Sequence, residues 1–495
     1  MKIKHIQWGT GTVLYEISGG YQLLVNFDNH GKISVMQKDC EEIKDAGLEK
    51  EIEEIKDAGL EKEIEEIKDA GLEKEISGTI EDRKIVEAFR LGIVPTFAVK
   101  NITVGREKEI KKVEKWLAKD DESIMIVGEY GQGKSHIIRY IKKKALDEGY
   151  LVGYCDIGDE SQMHKPKSVL NTIMKSLEFG DKEHQKNSDL ASFLKLYAMS
   201  ICEPNGKMAK NISKFLKPGI TELVGKIKQK HSTDNLDNDN YFADFVDYLC
   251  GDEDWSNLYK HRYGITIQDY QTSASIVCNV ISSIGHIAAT MSSSKNNFKG
   301  LILIFDEGET IDSPGYQRKQ RDSGKNFIKG LTEISNNNKD LLSEKMIMEY
   351  GPGGKSIGSQ TNLMYSRVKM HVNERFSNHD ENHVKCLFAF VEGQGEVINM
   401  LEKQGVEKIS LEEFSPDEKY KLINKVIEIY KNAYGYEVKD VERLKDIIIK
   451  KLGDEDDPNT RSIIKTTVEA LEIITDAEMD RDEDEDEIHY EKHLR

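Results

Sequence analysis

Two short stretches hold residue types that could together move a phosphoryl group. The first is Gly128-Glu129-Tyr130-Gly131-Gln132-Gly133-Lys134-Ser135, preceded by the apolar run Ile124, Met125, Ile126, Val127 and followed by His136, Ile137 and Ile138. Glycines at the bends let successive backbone N–H groups converge on an anion, and a helix starting there adds the positive end of its dipole. The spacing G-x-x-x-x-G-K-S between strand and helix predicts a phosphate-binding loop, with Lys134 neutralising the β- and γ-phosphates and Ser135 holding Mg2+. The bland alternative is a glycine turn of the same spacing, and the strand and helix flanks weigh against it. The second stretch is Gly300-Leu301-Ile302-Leu303-Ile304-Phe305-Asp306-Glu307-Gly308-Glu309. An apolar strand ending in acids puts Asp306 at the carboxyl end, where α/β sheets hold ligands, as support for Mg2+. Glu307 is then the candidate base for an attacking water, and Glu309 its competitor.

These residues need a parallel α/β sheet to position them. Leu151 to Ile157 reads as its second strand and Lys385 to Val391 as a further core strand, with Glu392 and Gln394 at its end as candidate γ-phosphate sensors. The expected ATPase core spans 80–410, with a mainly helical insertion over about 160–295 and a mobile loop insertion over about 337–384. Within that loop, Tyr350-Gly351-Pro352-Gly353-Gly354-Lys355-Ser356 imitates a second phosphate loop, but Glu349 stands where the motif needs glycine. Ser415-Pro416-Asp417-Glu418 predicts a helix start, with an N-cap serine and proline in the first turn, opening a helical lid over 411–475. The acidic stretch 476–495 reads as a solvated, disordered tail.

A chain of 495 residues has room for two or three domains. A formal charge of −19 argues against a body coated with nucleic-acid-binding surface and leaves room for a local basic face. Six scattered cysteines without a C-x-x-C pair suggest neither a zinc site nor a disulfide framework. No signal-peptide pattern opens the sequence, and Ser275 to Ser294 reads as a buried helix, so the expectation is a cytoplasmic protein without a membrane span.

Residues 1–40 alternate apolar and polar over short runs separated by turn signals, which predicts a small β-barrel. Trp8-Gly9-Thr10-Gly11-Thr12-Val13, Val25-x-Phe27 and Gly31-Lys32 resemble SH3/Tudor-like docking modules. The twelve residues EEIKDAGLEKEI then occur three times in succession from Glu41 to Ile76. Their apolar stripe drifts around a helix and each copy carries an Ala-Gly step, so 41–79 reads as a mostly helical spacer.

Thr103-Val104-Gly105-Arg106-Glu107, about twenty residues ahead of the phosphate loop, resembles the box that packs on adenine in AAA+ and STAND-type ATPases. Asn459-Thr460-Arg461 resembles the second sensor arginine of AAA+ lids, and LILIFDEGE resembles a Walker B strand. With EAFRLGIVP at 87–95, GEYGQGKSH at 128–136 and FSPDEKYKLINKVIEIYKNAYG at 414–435, the stretch from about Ile85 to Ile474 resembles the BrxD-like ATP-binding proteins of BREX (bacteriophage exclusion) operons. That resemblance implies an ATP- and Mg2+-dependent AAA+-like ATPase of antiviral defence, in which Lys134, Glu307 and Arg461 carry catalysis. The nucleotide is then held by Val104, Gly105, Arg106 and 128–136, and the metal by Ser135 and Asp306. Its implied partners are other defence-operon proteins. It leaves open a local DNA-binding surface, a homo-oligomer, and a finger from Arg318, Arg321, Arg367 or Arg375. Two other readings stay in play: a non-catalytic ATP-dependent scaffold and a DNA-remodelling ring ATPase.

Overall fold

In a computed structural model the described residues are 2–5, 9–17, 22–27, 31–36, 40–42, 72–119, 122–158, 161–181, 186–204, 206–230, 239–250, 270–291, 298–344, 346–351, 354–365, 375–393, 395–435, 441–453 and 459–474. They divide into two compact units, Met1–Glu81 and Asp82–Arg495. In the first, β1 (Lys2–His5), β2 (Gly9–Ile17), β3 (Gln22–Phe27), β4 (Gly31–Met36) and β5 (Cys40–Glu42) form an antiparallel sheet in the order β4-β3-β2-β1-β5. Its register shifts between Val13 and Tyr15. The stretch expected as a barrel holds this five-stranded sheet, which reaches Glu42. Residues 43–71 of the expected spacer lie outside the described residues, and the end of the third repeat opens the helix Leu72–Arg90.

The second unit is built on a seven-stranded sheet. Its strands are β6 (Ile124–Val127), β7 (Tyr150–Asp156), β8 (Glu178–Asp181), β9 (Lys186–Asp189), β10 (Gly300–Asp306), β13 (Val384–Phe390) and β14 (Glu407–Ser410), in the order β14-β6-β13-β10-β7-β8-β9. The pairs from β14 to β7 are parallel, whereas β8 and β9 add antiparallel strands at one edge. The fold is thus α/β with a mostly parallel, mixed sheet. The purely parallel expectation missed that edge because β8 and β9 are short and polar, with no apolar run to announce them.

The central strands are covered on both faces, so alternate residues enter different cores. From β10, Leu301, Leu303 and Phe305 pack with the helices Tyr270–Thr290 and Arg318–Ser335. Ile302 and Ile304 pack on the other face with Ile137, Ile138 and Ile141 of the helix Lys134–Asp147 and with Val113 and Trp116. The helix stretch Ser273–Thr290 is long and apolar enough to cross a membrane, and 83% of it is buried inside the protein.

A third core joins both ends of this unit. Val86, Phe89, Val99 and Ile102 pack against Ile423, Val426, Ile448, Ile463 and Val468. The lid helices Pro416–Tyr434, Val441–Gly453 and 460–474 therefore share their interior with residues that precede the phosphate loop. The expected boundary at 411 divides what packing joins. The first lid helix begins in a capping box: the Glu418 amide donates to the Ser415 hydroxyl at 3.4 Å and the Ser415 amide donates back to Glu418 at 2.8 Å.

Within 337–384, expected as a loop, lie the helix Asp340–Ser343 and an antiparallel hairpin of β11 (Met346–Gly351) with β12 (Gly354–Ser359). The imitation phosphate loop is this hairpin: Tyr350 pairs with Lys355 and Gly351 with Gly354. Its glycines suggested a loop because they also suit a tight β-turn.

Candidate active site

The phosphate loop leaves β6, which lies between β14 and β13, beside the end of β13. The Gly128 amide donates to the Phe390 carbonyl at 3.2 Å, and the Glu392 amide donates to the Gly128 carbonyl at 3.3 Å. Inside the loop, the Glu129 amide donates to the Gln132 side chain at 2.8 Å. Gly133 has φ of 95°, a left-handed geometry available to glycine at no steric cost, and the helix Lys134–Asp147 starts directly after it. Gly131, at φ 79°, lies so close to the lid that a Cβ there would sit 2.4 Å from the Asn459 side chain.

Lys134 points back over its own loop. Its Nζ donates to the Gly128 carbonyl at 2.7 Å and to the Glu129 carbonyl at 3.0 Å, and it stands 5.2 Å from the Tyr130 ring centre. Burial lowers its pKa, and the acids Glu309 and Asp306 oppose that shift. A lysine that, among the described residues, hydrogen-bonds to neutral carbonyls is poised to turn toward an anion, because charge-assisted bonds are about twice as strong as neutral ones.

A cleft of about 330 Å³ collects Tyr130, Gly131, Gly133, Lys134, Ser135 and His136 from the loop, and Asp306, Glu307 and Glu309 from the end of β10. Thr460 and Arg461 face it from the lid, and Gly92, Ile93 and Val94 from the chain before the loop. Asp306 is 8% exposed and accepts the Tyr154 hydroxyl at 3.3 Å and the Glu307 amide at 3.0 Å. Burial raises its pKa, and Asp156 adds to the rise. Such a carboxylate, beside the exposed Ser135 hydroxyl, is the hard oxygen set that Mg2+ prefers. The donor set fits the metal.

Glu307 and Glu309 differ in what restrains them. Glu309 accepts the Val391 amide at 3.1 Å and the Tyr130 hydroxyl at 3.4 Å. Glu307 is exposed, has a left-handed backbone at φ 56° and ψ 39°, and no described residue bonds to its carboxylate. Partial burial raises its pKa first, then Asp156, Asp306 and Glu309.

An apolar pocket adjoins the cleft, lined by Val94, Ile102, Val104, Phe414, Leu422 and Ile464 together with His136. His136 bonds through Nε2 to the Thr103 hydroxyl at 2.8 Å, and its pKa is lowered to about 4 by burial and by Arg139 and Arg106. Since the Thr103 hydroxyl donates to the Val99 carbonyl at 2.6 Å, the ring donates to it and His136 is neutral with its proton on Nε2.

A family model described as BREX system ATP-binding protein BrxC/D matches residues 78–341, just over half of the 495 residues, and takes in both the phosphate loop and the acid strand. The chain belongs to this family. ATP binding and a place in BREX antiviral defence follow from that membership. No curated protein gives a significant match.

Within this BREX family chain, Val104 and Arg106 of the box expected around adenine both line the apolar pocket, Gly105 abuts Glu418, and Arg106 is 4% exposed. The Arg106 guanidinium donates to the Gln132 carbonyl at 2.8 Å, to the Glu412 carbonyl at 2.8 Å and to Glu109 at 3.1 Å, and lies 4.4 Å from the centre of the Phe414 ring. It ties the phosphate loop to the start of the lid. Arg461 lines the cleft and donates to the Leu91 carbonyl at 3.4 Å. Glu392 lies at the end of β13 and does not line the cleft, while Gln394 and Arg367 lie outside the described residues. Arg318 and Arg321 open a helix whose first turn faces Glu396, and the Arg375 carbonyl accepts from Asn279. Arg139, Asp156 and Tyr154 were missed in the sequence, where no motif marks them: Arg139 lines the cleft, Tyr154 donates to Asp306, and the charge of Asp156 acts on Asp306 and Glu307.

Proposed function

We propose that this BrxC/D-family chain is an Mg2+-dependent ATPase with an AAA+-type core, a switch or motor of the defence system. The observation that carries the reading is the single cleft shared by Lys134, Ser135, Asp306, Glu307 and Arg461. Lys134 and the backbone of 128–136 hold the phosphates, and the base lies in the cleft against Val94 and Ile464, on the side toward Val104 and His136. Ser135 and Asp306 hold the metal, which neutralises phosphate charge. Glu307, unrestrained and with a raised pKa, accepts the proton of the attacking water. Glu309, fixed to Tyr130 and Val391, sets the spacing between the loop and the end of β13.

Arg461 acts as the lid's sensor. Because the Thr460 amide donates to the Gly131 carbonyl at 3.2 Å, a change in the loop moves the lid with it. The scaffold reading gives no use to a free carboxylate at Glu307, which favours hydrolysis over a purely structural nucleotide. The protein is cytoplasmic in this account, works with other products of its operon on DNA, and uses its N-terminal sheet as an SH3/Tudor-like docking module. Steady-state ATP turnover with and without Mg2+, in wild type and in Lys134→Ala, tests the reading. Equal turnover in the two proteins would overturn it.

A further inference from the structure

In a chain of net charge −19, the segment 206–230 carries seven lysines against one acid, Glu222, and contains no arginine. Some described lysines sit beside carboxylates, such as Lys100 by Asp147 at 2.5 Å and Lys144 by Glu114 at 2.7 Å, and in this segment Lys226 pairs with Asp239. Lys207, Lys210, Lys217 and Lys228 are exposed and meet no carboxylate among the described residues, so the segment keeps a local excess of positive charge.

The backbone that presents them is fixed. Between Lys207 and Lys210, the Ala209 amide donates to the Tyr197 hydroxyl at 2.9 Å. Between Lys210 and Lys217, the Ser213 amide donates to the Ser283 hydroxyl at 2.9 Å, and Ile212, Phe215 and Leu216 are buried. The helix Lys217–Lys230 buries Ile220, Leu223, Val224 and Ile227 in the same core. Lys217 and Lys228 are eleven residues apart, three turns, so they stand on one side of the helix about 16 Å from each other at about 1.5 Å per residue.

We propose that this lysine-rich segment binds the phosphate backbone of double-stranded DNA without regard to sequence. The proposal rests on the reading that the protein acts on DNA, and it names the surface that does so. Seven lysines against one acid, in a chain of net charge −19, give this segment the charge that a polyanion meets. Lysines are mobile point charges suited to a continuous line of phosphates, whereas discrete carboxylates or base edges are better met by the planar fork of arginine, absent here. A duplex offers one charge per about 1.7 Å of axis, so a helix side about 16 Å long spans several phosphates in any register.

The test is fluorescence anisotropy of a labelled duplex of about 30 base pairs with the full chain, nucleotide-free, from about 50 to about 200 mM salt. The variant K207A/K210A/K217A/K228A should bind at least about tenfold more weakly and lower the salt slope by up to about 0.9 per lysine removed. Its ATP turnover without DNA and its melting curve should match wild type. If wild type binds DNA and the variant binds equally well with an unchanged slope, the surface is misassigned and the DNA reading survives. If wild type binds no duplex, both fall. If polyglutamate displaces the duplex at equal charge concentration, the segment serves an acidic protein and the proposal is overturned.

Discussion

The Val391 amide donates to the Glu309 carboxylate at 3.1 Å, fixing that acid to the end of β13 and leaving Glu307, two residues earlier, as the acid free in the cleft. The two glutamates therefore have separable work. Glu309→Gln keeps an oxygen for the Val391 amide and should lower turnover by no more than about tenfold, the worth of one modest hydrogen bond. A variant at Glu309 that is dead while Glu307→Gln turns over normally would exchange their roles.

Lys134 is the cation of the phosphate-loop motif and lines the cleft, so Lys134→Ala should lose tight ATP binding in calorimetry. Micromolar affinity retained by that variant would remove the phosphate-loop assignment.

Gly131 meets the lid at the distance of a missing methyl group. Gly131→Ala brings a Cβ within 2.4 Å of Asn459 at a φ of 79°, and should weaken ATP binding while costing about 1–3 kcal/mol in stability. Adding Asn459→Gly relieves the collision and leaves the backbone strain, so the double variant should recover part of both losses. Full tolerance of Gly131→Ala would mean that loop and lid are not in contact.

These contacts also mark how far the sequence could be read. The strands β6, β7, β10 and β13 were legible because each is a short apolar run ending next to glycine or acids, and the phosphate loop declares itself by spacing. Arg106 was legible only as part of a box; its burial between Gln132 and Glu412 depends on a residue 306 positions away, which no local pattern encodes. The β11–β12 hairpin was hidden by glycines that serve loop and turn alike. The left-handed backbone of Glu307 is a conformation that the local sequence gives no reason to expect of glutamate.

The pH profile follows from the charges around Glu307. A base works deprotonated, and burial with Asp156, Asp306 and Glu309 raises its pKa, so turnover should fall as pH drops through a value above the ordinary 4.5 of a glutamate. Asp156→Asn removes one negative neighbour, lowers that pKa and should move the acid limb to lower pH. His136, held at about 4, adds no limb near pH 6.5. An acid limb that stays in place in Asp156→Asn would mean that another group governs it.

The central claim is that the Glu307 carboxylate activates water while Asp306 and Lys134 secure the nucleotide. It is tested most directly by measuring ATP affinity and turnover together in Glu307→Gln. The account predicts affinity close to wild type, with turnover reduced by about 10² to 10⁴, the usual worth of a positioned general base. Wild-type turnover in Glu307→Gln would contradict it.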